Sequence, residues 1–456
     1  MKLAKELREI LAPERVSENE TIRRNHAKDE SHHEPRLPDV VVFPETTEEI
    51  AELLAYASRN GVPIVPFGVG SSLEGHVIPI KGGISIDFER MNRILEVRSG
   101  DFLVKVQPGV TRTQLNQALK KHGLFFPVDP GADATIGGMA ATNASGTTAV
   151  RYGVMRDQVR DLEVVLADGR IIHTGGLAAK SSSGYNLTHL FLGSEGTLGV
   201  FTEITLRVHG IPEATAAARA AFPSVKNAVD AALTMLASGI PLARVELVDA
   251  RSIKQVNGHE GTAYSEKATL FLEFHGNEDG LKADVVLAQQ CAEDERAESF
   301  EIESDSKKRA QLWLARHHLA YAFIHGYPDK KIMFTDVCVP LTELTGAVVH
   351  AREQLELAGL DGAVLGHIGD GNFHALIMYD PHDSRELEAA IQANEKIVDH
   401  ALSRGGTCTG EHGVGIGKQK YQQKEHGESL EVMKALKKTL DPAGILNPGK
   451  VLPCDK

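Results

Sequence analysis

Two histidines frame the segment His367-Ile368-Gly369-Asp370-Gly371-Asn372-Phe373-His374 of this 456-residue chain. The apolar runs Ala363 to Leu365 and Ala375 to Met378 flank it, so both imidazoles fall at the inner ends of two predicted strands, and a short turn lets them converge. Two neutral imidazoles and one carboxylate leave open positions on a divalent ion, as Lewis-acid work on a bound substrate requires. Gly410-Glu411-His412-Gly413 offers the carboxylate, Glu411. With 20 histidines in the chain, such a pair taken bare is more often core or surface filler than a metal site.

Two glycine-rich segments could hold a cofactor. Pro66-Phe67-Gly68-Val69-Gly70-Ser71-Ser72 follows the strand-like run Val62 to Pro66, and its glycines permit a tight turn with amide N–H groups free to face phosphate oxygens. The spacing Gly68, Gly70, Gly75 is not G-x-G-x-x-G, so this is no Rossmann fingerprint, and a plain turn is the blander reading. The second segment runs from Asp129-Pro130-Gly131 through Thr135-Ile136-Gly137-Gly138, Ala141 and Asn143 to Gly146. Its small residues let backbone approach a flat ligand closely, or let a helix pack tightly. An anionic substrate also needs a cation. Arg316, on a helical stretch, has the fork for a carboxylate, and Lys331 precedes the strand Ile332 to Phe334; either is more often a solvated surface charge.

The elements that must position these groups read as mixed helix and strand. Thr46-Thr47-Glu48-Glu49 is a capping box ahead of Ile50, Leu53, Leu54 and Ala57 at helical spacing, with Gly61 as the stop. Thr111 to Gln114 opens a second helix with Leu115, Ala118 and Leu119 on one face and Gly123 as its stop. Strand material follows from Asp161 to Val208, and residues 211 to 400 alternate strand and helix again. A Gly-rich stretch from Gly405 to Gly417, a charged helix before Asp441-Pro442, and Asn447-Pro448-Gly449-Lys450 close the chain. The expected division is an arm over 1–38, a cofactor domain over 39–210, a substrate domain over 211–404, and a segment over 405–456 that completes the active site.

In order along the chain, the P-x-G-x-G-[ST] loop at Pro66 and the P-G-x-x-x-T-I-G-G segment at Pro130, then Arg151-Tyr152-Gly153, Gly193-Ser194-Glu195-Gly196-Thr197-Leu198-Gly199 and Asn447-Pro448-Gly449-Lys450, resemble the vanillyl-alcohol-oxidase and p-cresol-methylhydroxylase type flavoproteins. The resemblance covers nearly the whole chain. It implies an α+β fold: a two-subdomain FAD-binding domain, a substrate (cap) domain built on an antiparallel sheet, and a C-terminal helical segment returning to the FAD domain. It places FAD against the two glycine segments, with Glu195, Gly199, Ile204 and Asn447 near its adenine, ribose or ring. Some members tether FAD through a histidine near the first loop; Leu73-Glu74-Gly75-His76 resembles the noncovalent branch instead. H-x-G-D-G-N-x-H with G-E-H-G resembles the FAD-linked D-lactate, D-2-hydroxyglutarate and glycolate dehydrogenases, in which the equivalents of His367, His374 and Glu411 bind zinc or manganese and those of Arg316 and Lys331 meet the substrate carboxylate. His412, beside Glu411, then suits a general base, with support of the neighbouring metal ligands as its alternative role. The segments around Trp313 and Asp336 resemble the cytochrome-linked D-lactate enzymes most.

Composition narrows the partners. A net charge of −13 without a basic stretch argues against nucleic acid, and no run is long and apolar enough to span a bilayer. Cys291, Cys338, Cys408 and Cys454 have no C-x-x-C spacing, which argues against an iron-sulfur cluster. The expectation is therefore a cytoplasmic protein, at most peripheral to a membrane. It would pass electrons from a small 2-hydroxy acid to a quinone, cytochrome or electron-transfer protein, with a homodimer left open. The rival from another class is a metal-dependent hydrolase in which the glycine segments are only turns. A flavin-binding subunit without catalysis is a third reading.

Overall fold

A computed structural model describes residues 2–453. The chain divides into two compact units, one made of residues 1–145, 153–211 and 411–456, the other of 146–152 and 212–410.

The first unit is built on two main sheets, with a short third ladder between Leu124–Phe125 and His209–Gly210. Val40–Val42 and Ile64–Phe67 both pair parallel with Ile84–Asp87. A parallel sheet needs cover on its faces. The helix Thr47–Asn60 packs Ile50, Leu53, Leu54 and Ala57 into that core. Thr46 caps it by accepting the Glu49 N–H, and Gly61 ends it at φ +63°, a left-handed conformation that suits glycine. The second sheet is antiparallel, in the order Ile94–Arg98, Leu103–Val106, Val200–Arg207, Val159–Val165, Ile171–His173. Its core includes Leu115 and Leu119 of the second predicted helix, Arg112–Lys120.

The first 38 residues are not a separate arm. Ala4, Leu7 and Leu11 lie at helical spacing and are buried in the same core as Ile50 and Leu53, and Val16 and Ser17 pair with Val42 and Val41. The polar composition of the stretch hides that short apolar stripe. The C-terminal segment also returns here: the Ile64 N–H donates to Ile445, the Asn447 N–H donates to Ile64, and Ile445 and Leu446 are buried.

The second unit carries one antiparallel sheet, in the order Ser299–Glu303, Ala214–Phe222, Ala268–Gly276, Leu242–Val248, Gly362–Gly366, Asn372–Tyr379, Lys331–Phe334. Alternation puts Leu270, Leu272 and Phe274 on one face and Phe271, Glu273 and His275 on the other. On the Phe271 face, Val248, Phe271, Leu365 and Leu376 pack with Trp313, Leu319 and Phe323 from the helices Ser306–His317 and Leu319–Gly326. Charged residues on this face therefore sit inside a packed layer, where they must be paired. The expected boundary at 404 moves to 410, because Thr407 N–H bonds Cys338 and Gly410 N–H bonds Asp336, both in this unit.

Candidate functional site

In the first unit the two glycine segments lie side by side. A Cβ on Gly68 would come within 2.4 Å of Thr135 Oγ1, so only glycine lets the first loop pass over the N-terminus of the helix Ile136–Thr142, which Thr135 caps. Gly137 is equally close to Pro108, at 2.6 Å from an added Cβ. Among the described residues, no backbone or side-chain acceptor takes the N–H groups of Val69, Gly70, Ser71 or Ser72. Val69 is half exposed, Gly70 is left-handed at φ +69°, and Ser72 Oγ donates to Asp29. Pro66 packs against Gly196, and Gly131 opens to solvent.

Glu195, expected near the cofactor, is buried and left-handed at φ +53°. Its N–H bonds Ala141 O, and its carboxylate accepts the N–H groups of Val414 and Gly415 at 2.7 and 2.8 Å and stands 3.2 Å from His76 Nε2. Burial pushes the Glu195 pKa up, but His76 and the two amides outweigh it, so it lies below its ordinary value. The same pair holds His76 above its ordinary value against the pull of burial. Asn447 donates to His76 O and Glu195 O, and Lys450 Nζ to His76 O and Ile78 O; burial drops that ammonium to about 8. This knot fixes Gly413, whose added Cβ would lie 2.5 Å from His76 Nε2. Asn143 is left-handed at φ +51° and accepts from the Arg156 N–H; Gly199 presses on Val164. Ile204 is sealed in the core, and Gly146 falls in the second unit.

In the second unit His367 follows Gly362–Gly366 directly and His374 sits opposite Leu365 on the partner strand. Their rings stand 5.5 Å apart, edge to face, with ligand atoms within 4.8 Å. Each faces a buried acid. Glu246 Oε1 is 2.7 Å from His367 Nδ1, and its other oxygen is 2.6 Å from Arg316. Burial opposes the charge on Glu246, and His367 with Arg316 outweighs it, holding the pKa below the ordinary value. Asp336 faces His374 Nδ1 at 3.5 Å and accepts from Asn372 Nδ2, Thr409 Oγ1 and the Gly410 N–H. The chain is thus held at the peptide that leads into Glu411 and His412.

The chain belongs to the FAD-linked oxidases. Residues 211–451 match the family described as "FAD linked oxidases, C-terminal domain" and 38–175 match "FAD binding domain". A probable mitochondrial D-lactate dehydrogenase of Danio rerio is 45% identical over 98% of this chain and 90% of its own length. A mitochondrial D-lactate dehydrogenase [cytochrome] of Arabidopsis thaliana is 45% identical over 92% of this chain and 75% of its own. Among solved structures, 4-ethylphenol oxidase from Gulosibacter chungangensis superposes with TM-score 0.80 at 17% identity, covering 99% of this chain and 97% of that one, which supports the fold.

The glycine cradle fits FAD: this FAD-linked oxidase has unclaimed amides on one loop beside a capped helix N-terminus, the arrangement a pyrophosphate takes. A cytoplasmic location does not stand, because the relatives from Danio rerio and Arabidopsis thaliana are mitochondrial proteins by name. Composition carries no address that would have told the two compartments apart. Among the described residues no helix is long and apolar enough to cross a membrane, and Cys291, Cys338 and Cys408 form no disulfide; Cys454 lies outside those residues.

Lys331 is not brought to the histidines. It pairs with Tyr379, five residues along the strand from His374, which is roughly 17 Å and the opposite face of the sheet. It is exposed on an edge strand. Conversely, a buried polar row in this FAD-linked oxidase escaped the sequence reading. Tyr152 Oη meets His275 Nδ1 at 2.8 Å, His275 Nε2 meets Glu273 at 2.8 Å, and Arg244 stands 3.6 Å from Glu273 with its guanidinium over Trp313. The signal was present in Leu242–Val248 and Ala268–Gly276: charged residues at every second position of otherwise apolar strands.

Proposed function

We propose that this chain oxidises a short D-2-hydroxy acid, D-lactate first, to the 2-oxo acid and passes the electrons to a quinone, cytochrome or electron-transfer protein. The observation that carries this reading is the convergent pair of imidazoles, each facing a buried carboxylate, in a member of the FAD-linked oxidases. FAD, when bound, accepts the C2 hydride at N5, and a divalent ion, zinc or manganese, when bound, acidifies the substrate hydroxyl. His367, His374 and Glu411 are the proposed ligands. In support, Glu246 sets the orientation of the His367 ring, Asp336 stands 3.5 Å from His374 Nδ1, and Gly410, anchored on Asp336, precedes Glu411 in the chain.

Arg316, buried and already oriented by Glu246, is the proposed partner of the substrate carboxylate, which draws on an N–H edge not spent on Glu246. His412 takes the hydroxyl proton as the hydride leaves C2, so the substrate loses one proton and one hydride. FAD is proposed to be noncovalent, because the ring of His76 is buried against Glu195 rather than offered to a ligand. Acid precipitation should then release the flavin into the supernatant.

The test is anaerobic addition of D-lactate, L-lactate, glycolate and D-2-hydroxyglutarate to the yellow protein, reading the flavin band. D-lactate should bleach it and L-lactate should leave it unchanged. Faster bleaching by glycolate or D-2-hydroxyglutarate would reassign the substrate, and bleaching by none would end the proposal.

A further inference from the structure

A second group of metal-ligating side chains lies in the second unit, apart from the histidine pair. The helix Ala250–Glu260 ends on His259 and Glu260, with Gly261 left-handed at φ +66°. His318 is the residue at which the helix Ser306–His317 stops and Leu319–Gly326 begins. His318 Nδ1 is 2.9 Å and His259 Nε2 3.5 Å from the same Glu260 oxygen, and one ligand atom from each of the three lies within 4.8 Å of the others. The ring of His325, about two turns further along, stands 5.0 Å from that of His259.

We propose that His259, Glu260 and His318 form a divalent-cation site for a zinc-like ion, with His325 beside it as a further imidazole. Two imidazoles and a carboxylate are the donor set zinc, nickel and copper share. Zinc bonds of about 2.0–2.1 Å place tetrahedral ligand atoms roughly 3.3 Å apart, and side chains 21% to 39% exposed have the rotamer freedom to close from the present spacing. The C-terminal end of an eleven-residue helix adds its partial negative charge to the carboxylate, an independent reason for a cation there. All three side chains are partly exposed, so an ion reaches them without unfolding.

Occupancy would clamp the joint between Ser306–His317 and Leu319–Gly326 to the end of Ala250–Glu260. Arg316 lies two residues before His318 on that helix and holds Glu246, which orients His367. The cation therefore restrains the element that presents Arg316.

The experiment is calorimetric titration of zinc chloride into chelator-treated, FAD-loaded full chain and two double variants. His259→Ala/His318→Ala should take up one ion fewer than the parent, or bind it more than about tenfold more weakly. His367→Ala/His374→Ala should keep the site described here. Unchanged uptake by the first variant overturns the inference, as does no uptake at all by the second while its circular dichroism matches the parent. If the first variant fails to fold, Glu260→Gln replaces it, with the same weakening expected and unchanged binding fatal. Parent-like uptake by the second variant would instead count against metal at His367 and His374, leaving the present site standing.

Discussion

Glu246 is fully buried, joins Arg316 to His367 and has no sequence motif around it. Glu246→Gln keeps the shape but removes the charge that Arg316 needs, and its one carbonyl oxygen cannot serve both Arg316 and His367. Breaking a buried ion pair costs about 3–5 kcal/mol, and loss of a ligand-orienting group weakens metal binding about 10–100-fold. Thermal unfolding and metal titration of this variant should show both; a variant as stable as the parent would mean that Arg316 and His367 find other partners. His76 and Glu195 make a pH prediction. Glu195 has its pKa depressed on folding, so its contribution is present above the ordinary 4.5 and lost as pH falls below it. His76 has its pKa raised, so its contribution is present below the ordinary 6.5 and fades as pH rises from there through the folded value. The pair supports the fold most between those two values. His76→Gln should flatten the fall in melting temperature above pH 6.5, and an unchanged pH profile would show that the pair does not titrate in that range.

At the scale of elements, the first loop and the helix Ile136–Thr142 approach each other at Gly68 as closely as backbone permits. Gly68→Ala drives a methyl onto Thr135 Oγ1, the atom that caps that helix. The expected result is FAD affinity at least about tenfold weaker, with about 1 kcal/mol lost from the cap, read by flavin fluorescence on dilution and by thermal melting. Retained affinity would show that the loop has room to move. The capped helices at Thr46 and Thr111 were legible because a cap and a glycine stop are local signals. The N-terminal helix was not, since its three core residues stand among polar neighbours and gain their burial only from the sheet they meet.

For the whole molecule, the cofactor cradle belongs to one unit and the histidine pair to the other. Removing metal should therefore separate the two functions. Chelator treatment is expected to leave the flavin spectrum and the bound FAD in place while D-lactate no longer bleaches it, and re-added zinc or manganese should restore bleaching. Loss of the flavin together with the metal would contradict that separation.

By itself the sequence determined the family, the FAD-binding domain and the convergence of the two histidines, because each rests on a short run whose chemistry is carried by residue type and spacing: glycines where a Cβ would collide, imidazoles at the ends of a hairpin. What those runs could not carry was pairing across distance. Only the tertiary structure decided that Arg316 is held by Glu246 and that Lys331 lies about 17 Å along the sheet from His374. Strand register, not sequence proximity, sets which side chains share a face, and a buried charge is assigned its partner only when the layers close over it.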